Sequence, residues 1–388
     1  MLSADITGLG AVRSLAAARV PTVAVALDKD QPVVFSRFGR KIIVPPAMGS
    51  DNPLLDVLRS LRKDGGVIIP TSDYFVRFLG NRRSELEPHF RLAIPADDIL
   101  DVLLDKGLET ALIARLGIPL PRSIQHFPES AGRLIDALGL PCIIKPRSTA
   151  HARFLGRKNV VLTGAAEAAD FYDAHRDHLS AFVAQEYIPG DDTCIWECMC
   201  TFNHESELVR AFSFRKKWTS PAHNGVTSFG QSVRNDVFIQ QARELGRQLK
   251  YVGPADIEMK YDQRDDSYKY IEINPRLGMC NLFATRCGVN VVLDAYRVAQ
   301  GGPMAPEACR QANDVVYIGL YDDLYSRLKG GGLGMQAALD YCSALGQRRV
   351  GAYFSWDDLC PGFHMGARVL REVMSSIARK VQRSSPDR

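Results

Sequence analysis

No apolar run in this chain approaches the roughly 20 residues that a membrane-spanning helix needs, which excludes a helical span from its hydrophobic pattern. No C-x-x-C pair occurs either, so a structural zinc site is not expected. The nine cysteines are odd in number and scattered. Cys194, Cys198 and Cys200 fall in a stretch that reads as a strand, where alternate positions are most simply core. With no signal peptide in view, they are expected to be reduced thiols of a cytoplasmic protein. A surplus of charge is also lacking: 48 Lys and Arg against 44 Asp and Glu leave a net charge of +4. That is small and evenly spread, no RNA or DNA motif accompanies it, and nucleic acid is not expected as a partner. Internal repeats are absent.

What is there is ordinary globular composition, 46% hydrophobic and 24% charged over 388 residues, enough for two or three cored domains. Residues 1–102 alternate strand and helix signals. Val20 to Leu27 and Gly66 to Pro70 read as buried parallel strands, with Leu54, Leu55, Leu58 and Leu61 on one helix face between them. A glycine turn at Thr7-Gly8-Leu9-Gly10 should follow a first strand, yet few residues precede it; the strand is expected to be missing or to lie upstream. Arg13 and Asp73 are expected to face a crevice at the strand ends, with Ser72 and Asp73 equally suited to capping a helix. Residues 103–187 hold helices through Leu112 and Leu134 and two strands, Cys142 to Lys145 and Ala181 to Ile188. Residues 188–300 contain a hairpin, and 301–388 read as a mixed extension with a loop at Gly330-Gly331-Gly332. The final helix carries Val369, Leu370, Val373, Met374 and Ile377 beside Arg368, Arg371, Arg379, Lys380 and Arg383. Its apolar face is expected to pack on the body with the charges solvated; membrane contact is not expected, and a homodimer is left open.

The hairpin is the most informative feature. Ala255 to Tyr261 and Tyr268 to Asn274 each alternate polar and apolar residues about a polar turn. Symmetry about Asp265 puts Glu258 opposite Glu272, about 4.5–5.5 Å apart on one face, with Asn274 on that face too. Opposed like charges call for a cation or a shared proton. Two carboxylates and an amide suit Mg²⁺, which typically takes one or two carboxylates plus substrate phosphates. Lys145, closing an apolar strand before Pro146, suits phosphate oxygens. Gln185-Glu186-Tyr187-Ile188-Pro189-Gly190-Asp191-Asp192, taken alone, reads most simply as an ordinary strand and turn, though such a segment can offer backbone groups to an adenine edge and an acid to a ribose.

In order, Asp105-Lys106, Ile-Ile-Lys145-Pro, Gln-Glu186-Tyr-Ile188-Pro-Gly-Asp-Asp192, Glu258 and Glu272-Ile-Asn274-Pro-Arg276 resemble the ATP-grasp superfamily in its carboxylate–amine ligase branch, over roughly residues 1–300. The resemblance implies an N-terminal open α/β (pre-ATP-grasp) domain, a two-subdomain α+β ATP-grasp fold and a C-terminal mixed extension. It implies that Lys106 and Lys145 contact the phosphates of ATP, that Glu186 and Ile188 hold adenine, and that Asp192 or Asp191 takes the ribose. Glu258, Glu272 and Asn274 would bind Mg²⁺, and Arg276 would steady the transferring phosphoryl group. A further cation near the γ-phosphate is expected from Arg215, or else Lys217. Arg147 and His151 lie in a loop bulkier than the family's usual small-residue loop. Small-molecule carboxylate and amine substrates, ATP and Mg²⁺ follow. The alternatives are a kinase on the same scaffold and a nucleotide-binding protein without turnover.

Overall fold

The computed structural model describes residues 1–388 apart from 4, 46–51, 223–224, 303, 307–309, 330–333 and 385–388. The expected Gly330–Gly332 loop therefore lies outside the described residues. Strands β1 (Leu2–Ser3), β2 (Val23–Ala26) and β3 (Arg40–Ile43) form a parallel sheet in that order. A bridge from Leu2 to Pro70 leads on to β4 (Val67–Ile68), which pairs in parallel with β5 (Arg91–Leu92). The first strand is thus present, but only two residues long. Thr7 to Gly10 are not a turn; they lie inside the helix Asp5–Ala17 that follows at once. Small residues are needed there for close packing rather than for turning. A Cβ on Gly8 would lie 1.9 Å from Ser3 Oγ, and one on Gly10 would lie 2.7 Å from Asn281 Oδ1.

Arg13, expected at a crevice, is instead buried in the same helix. Its Nε meets Asp358 Oδ2 at 2.9 Å, and its Nη2 donates to the carbonyls of Tyr353 and Asp358. It fastens the C-terminal region to the first helix. Removing one partner of a buried ion pair leaves the other charge stranded. Arg13→Ala is accordingly expected to lower stability by about 3 kcal/mol, read as a shift of the urea midpoint; an unchanged midpoint would deny the pair that role.

Next come β6 (Ser123–Ile124), β7 (Cys142–Pro146), β8 (Val160–Leu162) and β9 (Phe182–Glu186), antiparallel in the order β6-β9-β7-β8. Cys142 and Ile144 point into the core, which leaves Lys145 on the other face. The segment after Lys145 is short helical turns, Thr149–His151 and Ala152–Leu155. Arg147 reaches back to Asp105 Oδ1 at 3.0 Å, and His151 meets Ser148 at 2.8 Å.

The largest sheet holds β10 (Ile195–Phe202), β11 (Leu208–Ser220), β12 (Val226–Ser232), β13 (Gly253–Asp262), β14 (Ser267–Asn274), β15 (Val316–Ile318) and β16 (Arg349–Gly351). Their order is β14-β13-β10-β11-β12-β15-β16. Within the mixed region beyond residue 300, β15 and β16 complete this sheet. Arg327, fully buried, ties it down further. Its guanidinium lies 4.7 Å from the Trp218 ring centroid and pairs with Asp323 and Asp340. Among the described side chains the final helix, Cys360–Ser384, packs through its first turns: Met365 is buried and His364 stacks on Phe35. Leu370 and Met374 are exposed, contrary to the expected packing. The side chains of Val373 and Ile377 lie outside the described set.

Candidate active site

Glu258 does face Glu272 across β13 and β14, but not through a symmetric hairpin. Near the turn the register is one residue shorter, with Met259 opposite Tyr270 and Asp262 opposite Ser267. A bulge at Ile271 takes up the extra residue. Without it Glu258 would face Ile271. The bulge also turns neighbouring side chains to one side, so Ile271 and Glu272 both line the same cavity.

On the other flank of β13, Glu197 of β10 lies directly opposite Glu258. Three glutamates thus stand in a row across three strands, with Asp256 and Asn274 paired in the next row. Such a row is unfavourable unless cations meet it. Lys216 of β11 enters between two of them, its Nζ 2.5 Å from Glu258 Oε2 and 2.8 Å from Glu197 Oε1. Burial works against its charge, but the two carboxylates outweigh that and hold its pKa well above the ordinary lysine value. Lys106, in the first turn of the helix Lys106–Arg115, reaches Glu272 Oε2 at 2.6 Å. The Lys106 charge, followed by the opposing effect of burial, leaves the Glu272 carboxyl well below the usual range.

Lys145 lies in the same cavity and donates to Gln185 Oε1 at 2.8 Å. Burial, helped by the nearby Lys106 charge, pushes it down to about 8. The far end of the cavity is lined by Glu186, Tyr187, Ile188, Ile143 and Lys260. Glu186 accepts from Arg122 Nε at 2.9 Å, while Lys260 Nζ sits 4.7 Å from the Tyr187 ring centroid and donates to Gly190 O. Apolar walls with a polar edge form one end, cations and carboxylates the other. Arg276 is fixed beyond the hairpin end: Nε meets Asp73 Oδ1 at 2.7 Å and Nη2 meets Asn274 Oδ1 at 3.0 Å. Asp73 sits in the first turn of the helix Asp73–Asn81, which Ser72 caps, and its carboxylate is engaged by Arg276.

Three expected residues fall elsewhere. Arg215 lies opposite Trp196, on the face away from Glu258. Lys217 is the extra residue of a bulge between Lys216 and Trp218. Lys216, between them in sequence, is the one that reaches the acids. Asp192 is buried against β11, where its Oδ2 accepts from Thr219 N and Oγ1 at 2.8 Å each. Asp191 caps Thr193. Sequence reasoning misses Glu197, although it is the lone charge of strand β10, and it misses Lys216, which is one of three consecutive basic residues in β11. It also misses Asp256, one of the alternating charged residues of β13. Burial, then the Glu197 charge, raises the Asp256 pKa well above the ordinary value.

A cleft between a small antiparallel sheet and a larger one, with lysines on one side and acids of a hairpin on the other, is the arrangement of an ATP-grasp fold. Residues 230–306 match the family described as carbamoyl-phosphate synthase L chain, ATP binding domain. A D-aspartate ligase of Enterococcus faecium is 24% identical over 314 residues, covering 75% of this chain and 74% of that protein. The biotin carboxylase domain of Hydrogenobacter thermophilus 2-oxoglutarate carboxylase, solved with MgADP, ADP and bicarbonate, superposes with a TM-score of 0.63. It is 13% identical, over 81% of this chain and 72% of that one. N5-carboxyaminoimidazole ribonucleotide synthetase of Thermus thermophilus gives 0.59 at 15% identity, over 80% of each chain. The chain thus shares its fold with these solved structures and is similar in sequence to that ligase.

Proposed function

We propose that the chain is an ADP-forming ligase that activates a carboxylate with ATP and joins it to an amine. The observation that carries this reading is the opposed Glu258 and Glu272 pair, with Glu197 beside it and Lys106, Lys145 and Lys216 converging on the same space. Four acids on one sheet face, Glu197, Asp256, Glu258 and Glu272, are more than a ligand-free site would gather. One of them, Asp256, has an oxygen without a hydrogen-bond partner. Among the described residues no group of three His, Cys, Asp or Glu side chains forms a metal cage. Mg²⁺ characteristically completes its shell with phosphate oxygens and water.

Glu258, Glu272 and Asn274 would hold Mg²⁺, which when bound neutralises charge on the phosphate oxygens. Lys106 and Lys145 meet the same oxygens as point charges. Ile188 and the backbone beside it receive adenine, with Glu186 at its edge. Ribose contact is left to groups other than Asp192, which Thr219 occupies. Lys216 stays on Glu197 and keeps a positive charge beside the transferring group. Arg276, its guanidinium aimed by Asp73 and Asn274, stabilises the phosphoryl group in flight. A carboxylate oxygen attacks the γ-phosphorus and ADP leaves, giving an acyl phosphate. The amine then attacks the acyl carbon, phosphate leaves, and the ammonium proton passes to solvent. The Enterococcus faecium relative points to an amino acid as the carboxylate donor.

The test is ADP and phosphate release from ATP with Mg²⁺ across amino acids and small acids, alone and paired with amines. Release that requires both partners supports the ligase; a phosphorylated substrate accumulating without amine dependence would make it a kinase. A pH series adds an independent check. The Lys145 charge is present below about pH 8 and lost above it, so ATP affinity is expected to fall as pH rises from 7 to 9. In Lys145→Ala the affinity is expected to be weaker by roughly 10- to 150-fold, a charge-assisted contact being worth about 1.5–3 kcal/mol, and its fall over that range should flatten. Titration calorimetry reads both, and an unchanged affinity would remove Lys145 from the phosphate site. The same depressed value predicts folding stability that rises from pH 8 towards 10.5, as the buried amine sheds a charge the unfolded chain still carries.

A further inference from the structure

Exposed large apolar side chains are unevenly placed on this molecule. Of the 16 among the described residues, 11 lie between Leu320 and Met374. Part of this group forms a pattern. On the final helix, Phe363, Ala367, Leu370 and Met374 recur at intervals of 4, 3 and 4, which at about 100° per residue places them within an arc of roughly 60°. All four are exposed, Phe363 by 65%, Leu370 by 60% and Met374 by 62%. The packed residues Pro361, Met365 and half-buried Val369 lie on the opposite side, and the stripe meets the body at its base, where the Phe363 ring lies edge-on to Phe354 with centroids 5.8 Å apart. At its base the stripe is continuous with Trp356, which is 95% exposed, and Leu359; both line a groove with Phe363.

Charge selects the occupant. Residues 360–384 contain five basic residues, Arg368, Arg371, Arg379, Lys380 and Arg383, against the single acid Glu372. That is +5 − 1 = +4, the whole net charge of the chain, and the surplus is not evenly spread as the composition alone had implied. A second copy docked by a two-fold axis would bring two such helices together, which like charge opposes. Nucleic acid would meet the charge but not a stripe of Phe, Leu and Met. An anionic bilayer surface satisfies both, taking the apolar stripe into the headgroup boundary and the basic residues onto its phosphates. We propose that the final helix, with Trp356 at its base, docks this enzyme on an anionic membrane surface, lying in the interface and not spanning it. No helix among the described residues is long and apolar enough to cross a membrane.

The experiment is co-sedimentation of the full chain with vesicles of phosphatidylcholine, with or without a minority of phosphatidylglycerol. Binding to the mixed vesicles is expected to exceed binding to the neutral ones by roughly tenfold or more and to weaken as salt is raised. Phe363→Ser/Leu370→Ser/Met374→Ser should abolish it, and Arg368→Glu/Arg371→Glu should reduce it severalfold. Nucleotide binding measured on each variant confirms that the body is folded. Equal binding to both vesicle types, or no binding, would overturn the proposal. So would a stable dimer whose dissociation by the triple serine variant is the only change seen.

Discussion

Glu272→Gln is expected to leave the fold intact and to lower Mg²⁺-dependent ATP turnover by roughly 10²–10³-fold, the usual consequence of losing one charge-stabilising group in a transition state. The substitution is nearly isosteric, so the bulge and strand pairing that place the side chain are retained. What disappears is one of the two opposed carboxylates that would hold the metal. Lys106 loses its partner as well. Burial acts to lower the Lys106 pKa, but Glu272, 2.6 Å away, outweighs it and keeps the value above the ordinary one. The variant should therefore show weaker Mg²⁺ dependence as well as a lower rate. ADP release measured across a Mg²⁺ titration, with circular dichroism as the check on folding, tests both. A rate like that of the unaltered enzyme would sink the metal assignment for this hairpin.

Lys216→Met should affect stability and turnover together, whereas Arg215→Ala should leave turnover largely unchanged. Lys216 is almost wholly buried between Glu197 and Glu258. Truncating it strands two carboxylates in the interior, and breaking a buried pair in this way typically costs about 3–5 kcal/mol. The penalty is mostly the uncompensated charge, so adding Glu197→Gln to Lys216→Met should restore part of the stability. Denaturant midpoints of the single and double variants measure this. Because the lysine pKa is raised, its contribution is fully present below 10.5 and is lost only as pH climbs through the folded value. The stability difference should therefore be flat between about pH 6 and 9. A turnover loss in Arg215→Ala matching that of Lys216→Met would reverse the assignment.

The choice between these two basic residues shows how far strand parity can be read. In Phe214-Arg215-Lys216-Lys217-Trp218 the strand and its cationic character are legible, but the facing of each side chain depends on which strand lies alongside and in which register. Phe214 opposite Glu197 sets that register, and it turns Lys216 inward. Asp192 is misplaced by its sequence context for a similar reason. Its position after a hydrophobic strand suggests a ribose contact, yet the chain folds it beneath Thr219, and only the crossing with β11 reveals that the acid is already engaged.

The sequence by itself determined the local chemistry: alternation in Ala255–Tyr261 and Tyr268–Asn274, the paired glutamates, the strand-end Lys145, the Asn-Pro-Arg ending, and with these the ATP-grasp class. Such features depend on neighbours in the chain, where side-chain period and turn residues act directly. The tertiary structure alone decided what depends on distant segments. It set the Ile271 bulge that brings Glu272 opposite Glu258, and it added Glu197 and Lys216 to the acidic row. It sent Arg13 to Asp358, 345 positions away, and completed the large sheet with strands from beyond residue 300. Burial and electrostatic pairing are properties of where the chain returns, and no local pattern encodes that meeting.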